Sequence, residues 1–409
     1  MASIRPFKAV RPVPDKVHLV ATRSYVTYSP TKLRDKLDYN PYSFIHIINP
    51  EFGHRRKSRP NSDKRFIKVR QRYDAFIDEG VYQKDENPSY YVYRQIHHGH
   101  QHTGVICGVA CDDYIDGKVK IHEQTLGPRE EIFKKYLEMT HFNAEPVLLT
   151  FPDEDKLHNL LQPWTEQRPV YDFSTADKVR HQLWQIDEES KLQSLKHFFA
   201  GIPELYIADG HHRCASSVLL AQEKRKRHEN QNGLWNFFMA YILPSKDLLI
   251  HPFHRLISNL GVYKVADFLA ELNHGFEVIK LDGPAVPAAQ RQFCMYLESN
   301  WYNLSLKNAV DVPVEETDSQ LLTDTVLKPL LQILDIRHDE RLSFIGGEDK
   351  ALELKAKVDK GWYAAAFILH PVTFDELKAV SDAGLTMPPK STYIEPKLRS
   401  GLTIFELDD

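Results

Sequence analysis

The chain has 409 residues, of which 42% are hydrophobic and 26% charged, and this composition predicts a globular protein of two or three domains. The formal net charge of −4 excludes a general electrostatic attraction to nucleic acid or to an anionic membrane surface. The four cysteines are too few to indicate a disulfide framework, and they fit a reducing compartment. Neither a signal peptide nor an apolar run near the roughly 20 residues that span a membrane is evident, so we expect a cytoplasmic protein without a membrane segment.

The first half of the chain is predicted to contain both strands and helices. Runs of alternating or continuous apolar residues indicate strands, whereas apolar residues spaced three and four apart indicate helices. Ser62 is a candidate N-cap for one helix, and Gly80 fits its C-terminal stop. In chain order, we predict a strand at 43–48, a helix at 62–79, strands at 90–96, 103–110 and 118–125, a helix at 129–139, strands at 146–151 and 181–186, and a helix at 191–200.

Four histidines lie in the short segment His97–His102, which joins two of these predicted strands. Gly99 in the middle of the segment predicts a hairpin turn. Histidine is a common metal ligand, but side chains at the tip of a hairpin diverge. The segment is therefore either a metal site or an exposed turn.

The candidate functional residues of the chain are centred on residues 205–227. The apolar run from Leu205 to Ala208 predicts a buried strand, and Asp209-Gly210 predicts a sharp turn after it. Residues 214–227 then follow as a helix. The polar stretch Asp209–Arg213 is thus expected where a strand gives way to a helix.

A strand-to-helix turn of this composition favours an anion site. The N–H groups in the first turn of a helix have no partner within the helix and carry partial positive charge. His211, His212 and Arg213 add donors, and Asp209 adds a carboxylate, so the stretch predicts a phosphate or carboxylate site with an acid–base pair. The alternative is an ordinary Asp-Gly turn and N-cap with solvated charges.

The second half of the chain continues the mixture of strands and helices. Thr373-Phe-Asp-Glu376 has the pattern of a capping box and predicts the start of a helix that ends near Gly384. The other predicted elements are strands at 235–243, 248–255, 276–281, 302–306, 342–345, 362–369 and 402–407, and helices at 264–272, 288–299, 318–333 and 349–358.

Two further segments carry candidate functional residues. The loop at 387–401 begins with rigid prolines and contains phosphate-binding residue types: Lys390, Ser391, Thr392, Lys397 and Arg399. Upstream, His122-Glu123 ends a predicted strand, and Glu123 is a candidate general base or metal-bound carboxylate. The alternatives are a solvated loop for the first segment and a surface ion pair for the second.

Short motifs occur in a fixed order along nearly the whole chain. They are Arg5-Pro-Phe, Asn40-Pro-Tyr-Ser-Phe44, Tyr91-Val-Tyr-Arg-Gln95, His122-Glu-x-Thr125, His181-x-Leu-Trp184, Tyr206-Ile-Ala-Asp-Gly-His-His-Arg213 and Met387-Pro-Pro-Lys-Ser-Thr392. Together they resemble the motifs of the domain of unknown function 1015 family of bacteria and archaea. Where that family has a Pro-Tyr-Asp segment, this chain has Ser24-Tyr25-Val26, which departs from the pattern.

The Asp209–Arg213 stretch also resembles the loop of the ParB/sulfiredoxin superfamily, which includes free-serine kinases. The resemblance implies an α/β (α+β) fold, with a ParB/sulfiredoxin-like mixed-sheet core at residues 1–246. An additional C-terminal α/β domain at residues 247–409 would contribute the Pro-Pro-Lys-Ser-Thr loop. Asp209, His212 and Arg213 align with the kinase loop, and Glu123 is the candidate for its upstream catalytic glutamate.

The function implied is a nucleotide-dependent phosphotransferase that uses Mg²⁺ and ATP or ADP and acts on free serine or phosphoserine. No residue is assigned as a ligand of the metal ion. The predicted catalytic residues are Glu123, Asp209 and His212, and the predicted phosphate- or nucleotide-binding residues are Gly210, His211, Arg213, Lys390, Ser391, Thr392 and Lys397.

Two other functions remain as alternatives. One is a ParB-like nucleotide-binding regulator that contacts DNA, against which stand the acidic net charge and the lack of a basic helix-turn-helix pattern. The other is a metal-dependent hydrolase, although neighbouring histidines in one turn rarely reach the same metal. Its ligands would come from His122, Glu123, Asp209, His211 and His212.

Overall fold

The computed structural model describes residues 2–153, 155–227, 232–307 and 316–408. The chain forms two compact units. The first comprises Met1–Lys120, Thr125–Leu248 and Pro396–Asp409, and the second comprises Ile121–Gln124 and Leu249–Glu395. Mixed sheets and helices confirm the predicted α/β class, whereas the predicted functional division at residues 246 and 247 stays a prediction.

The first unit contains strands β1–β12, helices α1–α9 and a final strand. The strands are β1 Ile4–Arg5, β2 Val10–Pro12, β3 Tyr82–Lys84, β4 Tyr90–His97, β5 His100–Ala110, β6 Val119–Lys120, β7 Phe142–Asn143, β8 Val147–Phe151, β9 Tyr171–Ser174, β10 Arg180–Ile186, β11 Leu205–Asp209, β12 Phe237–Pro244 and the final strand Phe405–Glu406. The helices are α1 Val17–Val20, α2 Pro30–Tyr39, α3 Ile45–Ile48, α4 Asp63–Asp78, α5 Cys111–Ile115, α6 Gly127–Thr140, α7 Lys156–Thr165, α8 Glu189–Ala200 and α9 His211–Arg227.

A mixed sheet forms the centre of the first unit, with nine strands among the described residues. Its order is β6-β11-β8-β12-β5-β4-β10-β9, and β1 also pairs with β5. The β11–β6 and β12–β8 pairs are parallel and the others are antiparallel. Every residue of β8 is buried, as expected for a central strand covered on both faces. β11 pairs with β6 on one side and with β8 on the other, so its carboxyl end lies beside the buried strand β8.

The hairpin between β4 and β5 is confirmed. His97 pairs with His100, which leaves His98 and Gly99 as a two-residue loop. Both loop residues have positive φ angles, 48° and 82°, which is the backbone pattern of a type I′ turn. The glycine in the sequence was therefore a correct signal for this turn.

The second unit is built on an antiparallel sheet. The described strands follow the order β14-β16-β15-β18-β13-β17, and β19 pairs with β13. Its apolar core includes Phe268, Phe293, Leu322 and Phe367. The strands are β13 Leu249–Ile257, β14 Phe276–Leu281, β15 Gln292–Leu297, β16 Asn300–Leu306, β17 Leu342–Gly346, β18 Ala365–Leu369 and β19 Thr392–Glu395; the helices are Val265–Gly275, Asp318–Leu322, Ala351–Asp359 and Phe374–Asp382.

Several predicted elements are wrong, and the reasons are physical. The run at 43–48 forms helix α3, because a short apolar run fits a buried helix as well as a strand. The predicted helix at 288–299 contains strand β15, whose pairing with β16 and β18 overrides its helical residue types. The predicted strand at 118–125 keeps only β6, and the predicted helix at 318–333 ends at Leu322 and continues as a π-helical turn at Thr323–Leu327.

Candidate functional site

Strand β11 ends in an irregularity that places Asp209 at the sheet edge. Ile207 pairs with Leu149 and Asp209 pairs with Leu148, so Ala208 is an extra, bulged residue. A bulge of this kind redirects the following side chain and is frequent beside functional sites. Asp209 consequently leaves the buried strand with 44% of its side chain exposed.

Gly210 makes the sharp turn from β11 into helix α9. Its φ of +101° lies in the region that side chains other than glycine rarely adopt. A Cβ atom at this position would also lie 2.8 Å from both Nε and Nη2 of Arg213. The glycine therefore permits the backbone turn and the close approach of the guanidinium.

Helix α9 begins three residues earlier than the sequence predicts. The N–H of Cys214 donates to the carbonyl of Gly210 at 3.0 Å, so His211, His212 and Arg213 form the first helical turn. His211 is buried, and His212 is half-buried. These three residues therefore share the helix N-terminus, where negative charge is favoured.

Arg213 lies between two carboxylates. Its Nη2 donates to Oδ2 of Asp209 at 2.5 Å, and its Nη1 donates to Oε1 of Glu145. Burial alone would lower the pKa of Arg213, but the two carboxylates raise it above its ordinary value. The guanidinium thus remains charged and holds two acidic groups in place.

The C-terminal segment of the chain completes this cluster within the first unit. Nζ of Lys397 lies 3.9 Å from Oδ1 of Asp209. The hydroxyl of Ser400 donates to Oε2 of Glu145 at 2.9 Å, and the N–H of Gly401 donates to the carbonyl of Ala144 at 2.9 Å. We call Glu145, Asp209, Arg213, Lys397 and Ser400 the carboxylate cluster.

A second polar group adjoins this segment along the chain. Arg399 is buried, and its Nη2 donates to both carboxylate oxygens of Asp177, at 2.8 and 3.0 Å, and to Thr175 at 3.1 Å. Burial raises the pKa of Asp177, but the hydrogen bonds from Thr175 and Arg399 lower it by more, so the pKa lies below its ordinary value and the carboxylate is ionised. Arg399 therefore anchors the segment that carries Lys397 and Ser400.

In the second unit, the structure brings His122 and the loop at 387–392 together. The N–H of Met387 donates to the carbonyl of His122 at 2.8 Å, and the His122 ring lies 3.5 Å from the hydroxyl of Thr392. Glu123 follows in a bend and is half-buried. The segment that contains His122 and Glu123 therefore contacts this loop within the second unit.

Lys390 and Ser391 have different environments in the same loop. Lys390 is exposed, has a φ of 60°, and places its ammonium 5.3 Å from the ring centre of Phe253. Ser391 is buried, donates to the carbonyl of Pro388 at 2.7 Å, and lies 2.7 Å from the hydroxyl of Ser319. Ser391 is therefore held by the loop itself, whereas Lys390 faces solvent.

The predicted site residues fall into two sets, one in each unit. Asp209, Arg213 and Lys397 are joined in the carboxylate cluster, whereas Glu123 and Lys390 belong to the second unit. Their roles in one common reaction stay a prediction. The sequence reading missed Glu145, Ser400 and Asp177. For Glu145, the one signal in the sequence is its position two residues before β8, the buried strand that pairs with β11.

No group of three or more metal-ligating side chains occurs in the described part of the chain. At the β4–β5 hairpin, His97 and His98 contact each other edge to face at 4.0 Å, whereas His102 is buried and bonds to the carbonyl of Asp247. The histidines of this segment therefore have different environments, with His97 and His98 in contact and His102 bound elsewhere. Within the described ranges, no helix is long and apolar enough to span a bilayer.

Replacing Gly210 with alanine is expected to destabilise the folded protein at the turn between β11 and α9. The new methyl group would be strained at the positive φ and would meet the Arg213 guanidinium, so we expect a loss of about 1–3 kcal/mol in the free energy of unfolding. Denaturant titration measures this loss. Gly117→Ala is the matched control, because Gly117 also has a positive φ, 73°, but nothing lies within 4 Å of its added Cβ. An equal loss in both variants would show that contact with Arg213 is unimportant.

Residues 4–336 match the family of proteins of unknown function called DUF1015. Because this match covers most of the chain, the protein belongs to that family. A comparison with curated proteins found no match.

Several solved structures are distantly similar to the chain. A free serine kinase in complex with AMP is 16% identical with a TM-score of 0.38, over 74% of this chain and 91% of the other. A conserved hypothetical protein from Pyrococcus furiosus is 17% identical with a TM-score of 0.37, over 74% and 95%. A C-terminally truncated SbnI from Staphylococcus aureus is 14% identical with a TM-score of 0.37, over 71% and 82%.

Proposed function

We propose that the protein is a nucleotide-dependent phosphotransferase that acts on free serine or phosphoserine. The observation that carries this proposal is the position of Asp209. Its carboxylate stands at the end of a bulged strand, next to the first turn of helix α9, and is held by Arg213. A partly exposed carboxylate beside an anion-favouring helix end is suited to accept a hydroxyl proton close to a bound phosphate.

The residues around Asp209 supply the positive charge that phosphoryl transfer requires. This reaction depends mainly on positioning and on charge neutralisation. The N-terminus of α9, His211 and Lys397 would contact phosphate oxygens, and His212 would stabilise or move charge. Because Arg213 has two carboxylate partners in the structure, we assign it mainly to holding Asp209, with a phosphate contact as the alternative.

In the proposed reaction, the serine hydroxyl oxygen attacks the terminal phosphorus of the nucleotide. Asp209 takes the hydroxyl proton, a new O–P bond forms, and the bond from phosphorus to the bridging oxygen breaks. The shortened nucleotide leaves with that bridging oxygen, and the reverse reaction runs from phosphoserine. Glu123 stays a second candidate for the proton acceptor, and Lys390, Ser391 and Thr392 stay candidate phosphate ligands on the second unit.

The carboxylate cluster also fits Mg²⁺. Magnesium is usually held by one or two carboxylates together with substrate phosphates, and Asp209 and Glu145 provide two carboxylates joined through Arg213. Glu145 would hold the ion, which leaves Asp209 to accept the hydroxyl proton. When bound, Mg²⁺ would neutralise charge on the phosphate oxygens.

The test uses the purified full chain with ATP or ADP, Mg²⁺ and serine, and the reverse mixture with phosphoserine. We expect phosphoserine and a shortened nucleotide, measured by mass spectrometry and phosphorus NMR. Asp209→Asn is expected to lower turnover by about 100-fold or more, because the substitution removes the general base but keeps the size and shape of the side chain. Absence of turnover in both directions, with the protein folded, would refute the proposed function.

Asp172→Asn is the matched control for the catalytic variant. Asp172 is another partly exposed carboxylate of the first unit, and it pairs with Arg180 through hydrogen bonds of 2.8 and 2.7 Å. Because Asp172 lies outside the carboxylate cluster, its replacement should leave turnover unchanged. Equal losses in the two variants would mean that Asp209 acts only through general electrostatics or stability.

A further inference from the structure

Arg255 on strand β13 is a fully buried arginine in the second unit. Its relative exposure is 0%, and it is among the largest fully buried side chains of the described chain. Burial lowers its pKa to about 9, so the guanidinium still carries its charge at neutral pH. A buried charge is normally paired with an opposite charge or with several acceptors, because removal from water is costly.

The contacts of Arg255 leave one edge of its guanidinium without a partner. Nη1 donates to the carbonyl of Phe253 at 2.7 Å, and the ring of Phe344 covers the group with its centre 4.7 Å from Cζ. Among the described residues, neither Nε nor Nη2 has a hydrogen-bond partner. These two nitrogens form one edge with parallel N–H groups, which matches two oxygens of a carboxylate or phosphate.

Other arginines of the chain show what this edge binds. Nε and Nη2 of Arg180 donate to the two oxygens of Asp172 at 2.8 and 2.7 Å. Nε and Nη2 of Arg341 donate to the two oxygens of Asp339 at 3.0 and 2.7 Å. Both of these pairs are more exposed than Arg255. An unpaired charge costs more free energy when it is buried, so an anionic partner would stabilise Arg255 more than it stabilises Arg180 or Arg341.

We propose that the Nε–Nη2 edge of Arg255 binds an anion with two oxygens on one centre, either a carboxylate or a phosphoryl group. Phe253 connects Arg255 with the loop at 387–392, since the Phe253 carbonyl accepts from Arg255 and its ring contacts Lys390. The exposed ammonium of Lys390 would attract the anion to this part of the unit. Because Arg255 is covered, binding requires a local opening around Phe253. The proposal does not depend on the phosphotransferase reaction, because Arg255 has no role in that reaction.

The test measures thermal unfolding of the full chain in sodium phosphate, in sodium acetate and in sodium chloride at equal ionic strength. Phosphate and acetate are the probes for the two anion classes. At about ten times its Kd, an anion that binds the folded state should raise Tm by about 3–6 °C relative to chloride for a unit of this size. Phosphate also stabilises proteins without binding a site, so only the part of the rise that depends on Arg255 is informative. An Arg255-dependent rise with phosphate alone identifies a phosphoryl site, and one with acetate alone identifies a carboxylate site.

Arg255→Met assigns the effect to this residue. We expect the variant to lose the anion-dependent rise, and its Tm in chloride to be at least that of the wild type, because an unpaired buried charge is removed. Arg341→Met is the control in the same unit and should keep the rise. If Arg255→Met does not fold, Arg255→Lys, which keeps the charge but not the two-point edge, should lose most of the rise.

Two results would overturn the site. One is a wild-type protein whose Tm rises with neither anion. The other is a rise of undiminished size in a folded Arg255→Met or Arg255→Lys variant, which would place the bound anion elsewhere. Neither result bears on the phosphotransferase assay, because that assay measures a turnover that depends on Asp209 in the first unit.

Discussion

Replacing Arg213 with methionine is expected to lower phosphotransferase turnover by about 100-fold, because the side chain that fixes Asp209 is lost and misplaced catalytic groups carry penalties of this order. The variant should also lose about 2 kcal/mol in the free energy of unfolding. This value lies between the contribution of exposed ion pairs, below about 1 kcal/mol, and that of breaking buried pairs, about 3–5 kcal/mol. Arg213, Glu145 and Asp209 are only partly buried, which places their contribution between these limits.

The physical cause is the repulsion that Arg213 prevents. Without it, Asp209 and Glu145 would face each other as like charges at the end of β11. Denaturant titration and the serine assay measure the two effects on the same samples. Arg180→Met is the matched control, because Arg180 makes an exposed two-point pair with Asp172 and should cost less than about 1 kcal/mol. The prediction is contradicted if Arg213→Met and Arg180→Met behave alike.

Replacing Arg11 with methionine is expected to have the largest effect on stability. Arg11 and Asp85 are both buried, with Nε of Arg11 2.8 Å from each oxygen of Asp85. Tyr171 and Gln185 complete the arginine contacts at 3.0 Å each. Removal of Arg11 leaves the buried Asp85 without an opposite charge, so we expect a loss of about 3–5 kcal/mol in the free energy of unfolding, measured by denaturant titration.

A double variant separates this penalty from the value of the ion pair itself. Burial raises the cost of every unpaired charge, whereas replacement of a whole buried pair by apolar groups is often neutral or stabilising. Arg11→Met combined with Asp85→Leu should therefore recover much of the lost stability, although Tyr91 then loses its 2.7 Å hydrogen bond to Asp85. A double variant no more stable than Arg11→Met would contradict this expectation, and one less stable than the wild type would show that the intact pair contributes net stability.

Much of the fold around the candidate site could be predicted from local sequence. The β11–α9 transition, the hairpin at Gly99 and the capping box at Thr373 were all predicted, and the structure contains each of them. Each depends on residues within a few positions, because φ, turn type and capping are local properties. Strand β15 was not predictable in this way, since its environment comes from two neighbouring strands.

The residues of the candidate site also differ in whether local sequence could predict them. Asp209, Gly210 and Arg213 could be recognised because they lie together in the sequence. Glu145 and Ser400 could not be assigned to the site in this way. Glu145 lies 68 residues from Arg213 in the sequence, and Ser400 lies 255 residues from Glu145, so only the tertiary fold brings these side chains together. Sequence composition also contains no signal for such pairs, since most carboxylates and serines of a globular protein are solvated.

The sequence by itself determined the family, the mixed α/β class and the turn on which Asp209 stands. These follow from motif order, hydrophobic periodicity and the conformational freedom of glycine. Only the tertiary structure decided which charges are paired: Arg213 lies between two carboxylates, whereas Arg255 is buried with one edge of its guanidinium unpartnered among the described residues. The physical reason is that the cost of a charge depends on its burial and its partners, and both are set by contacts between distant parts of the chain.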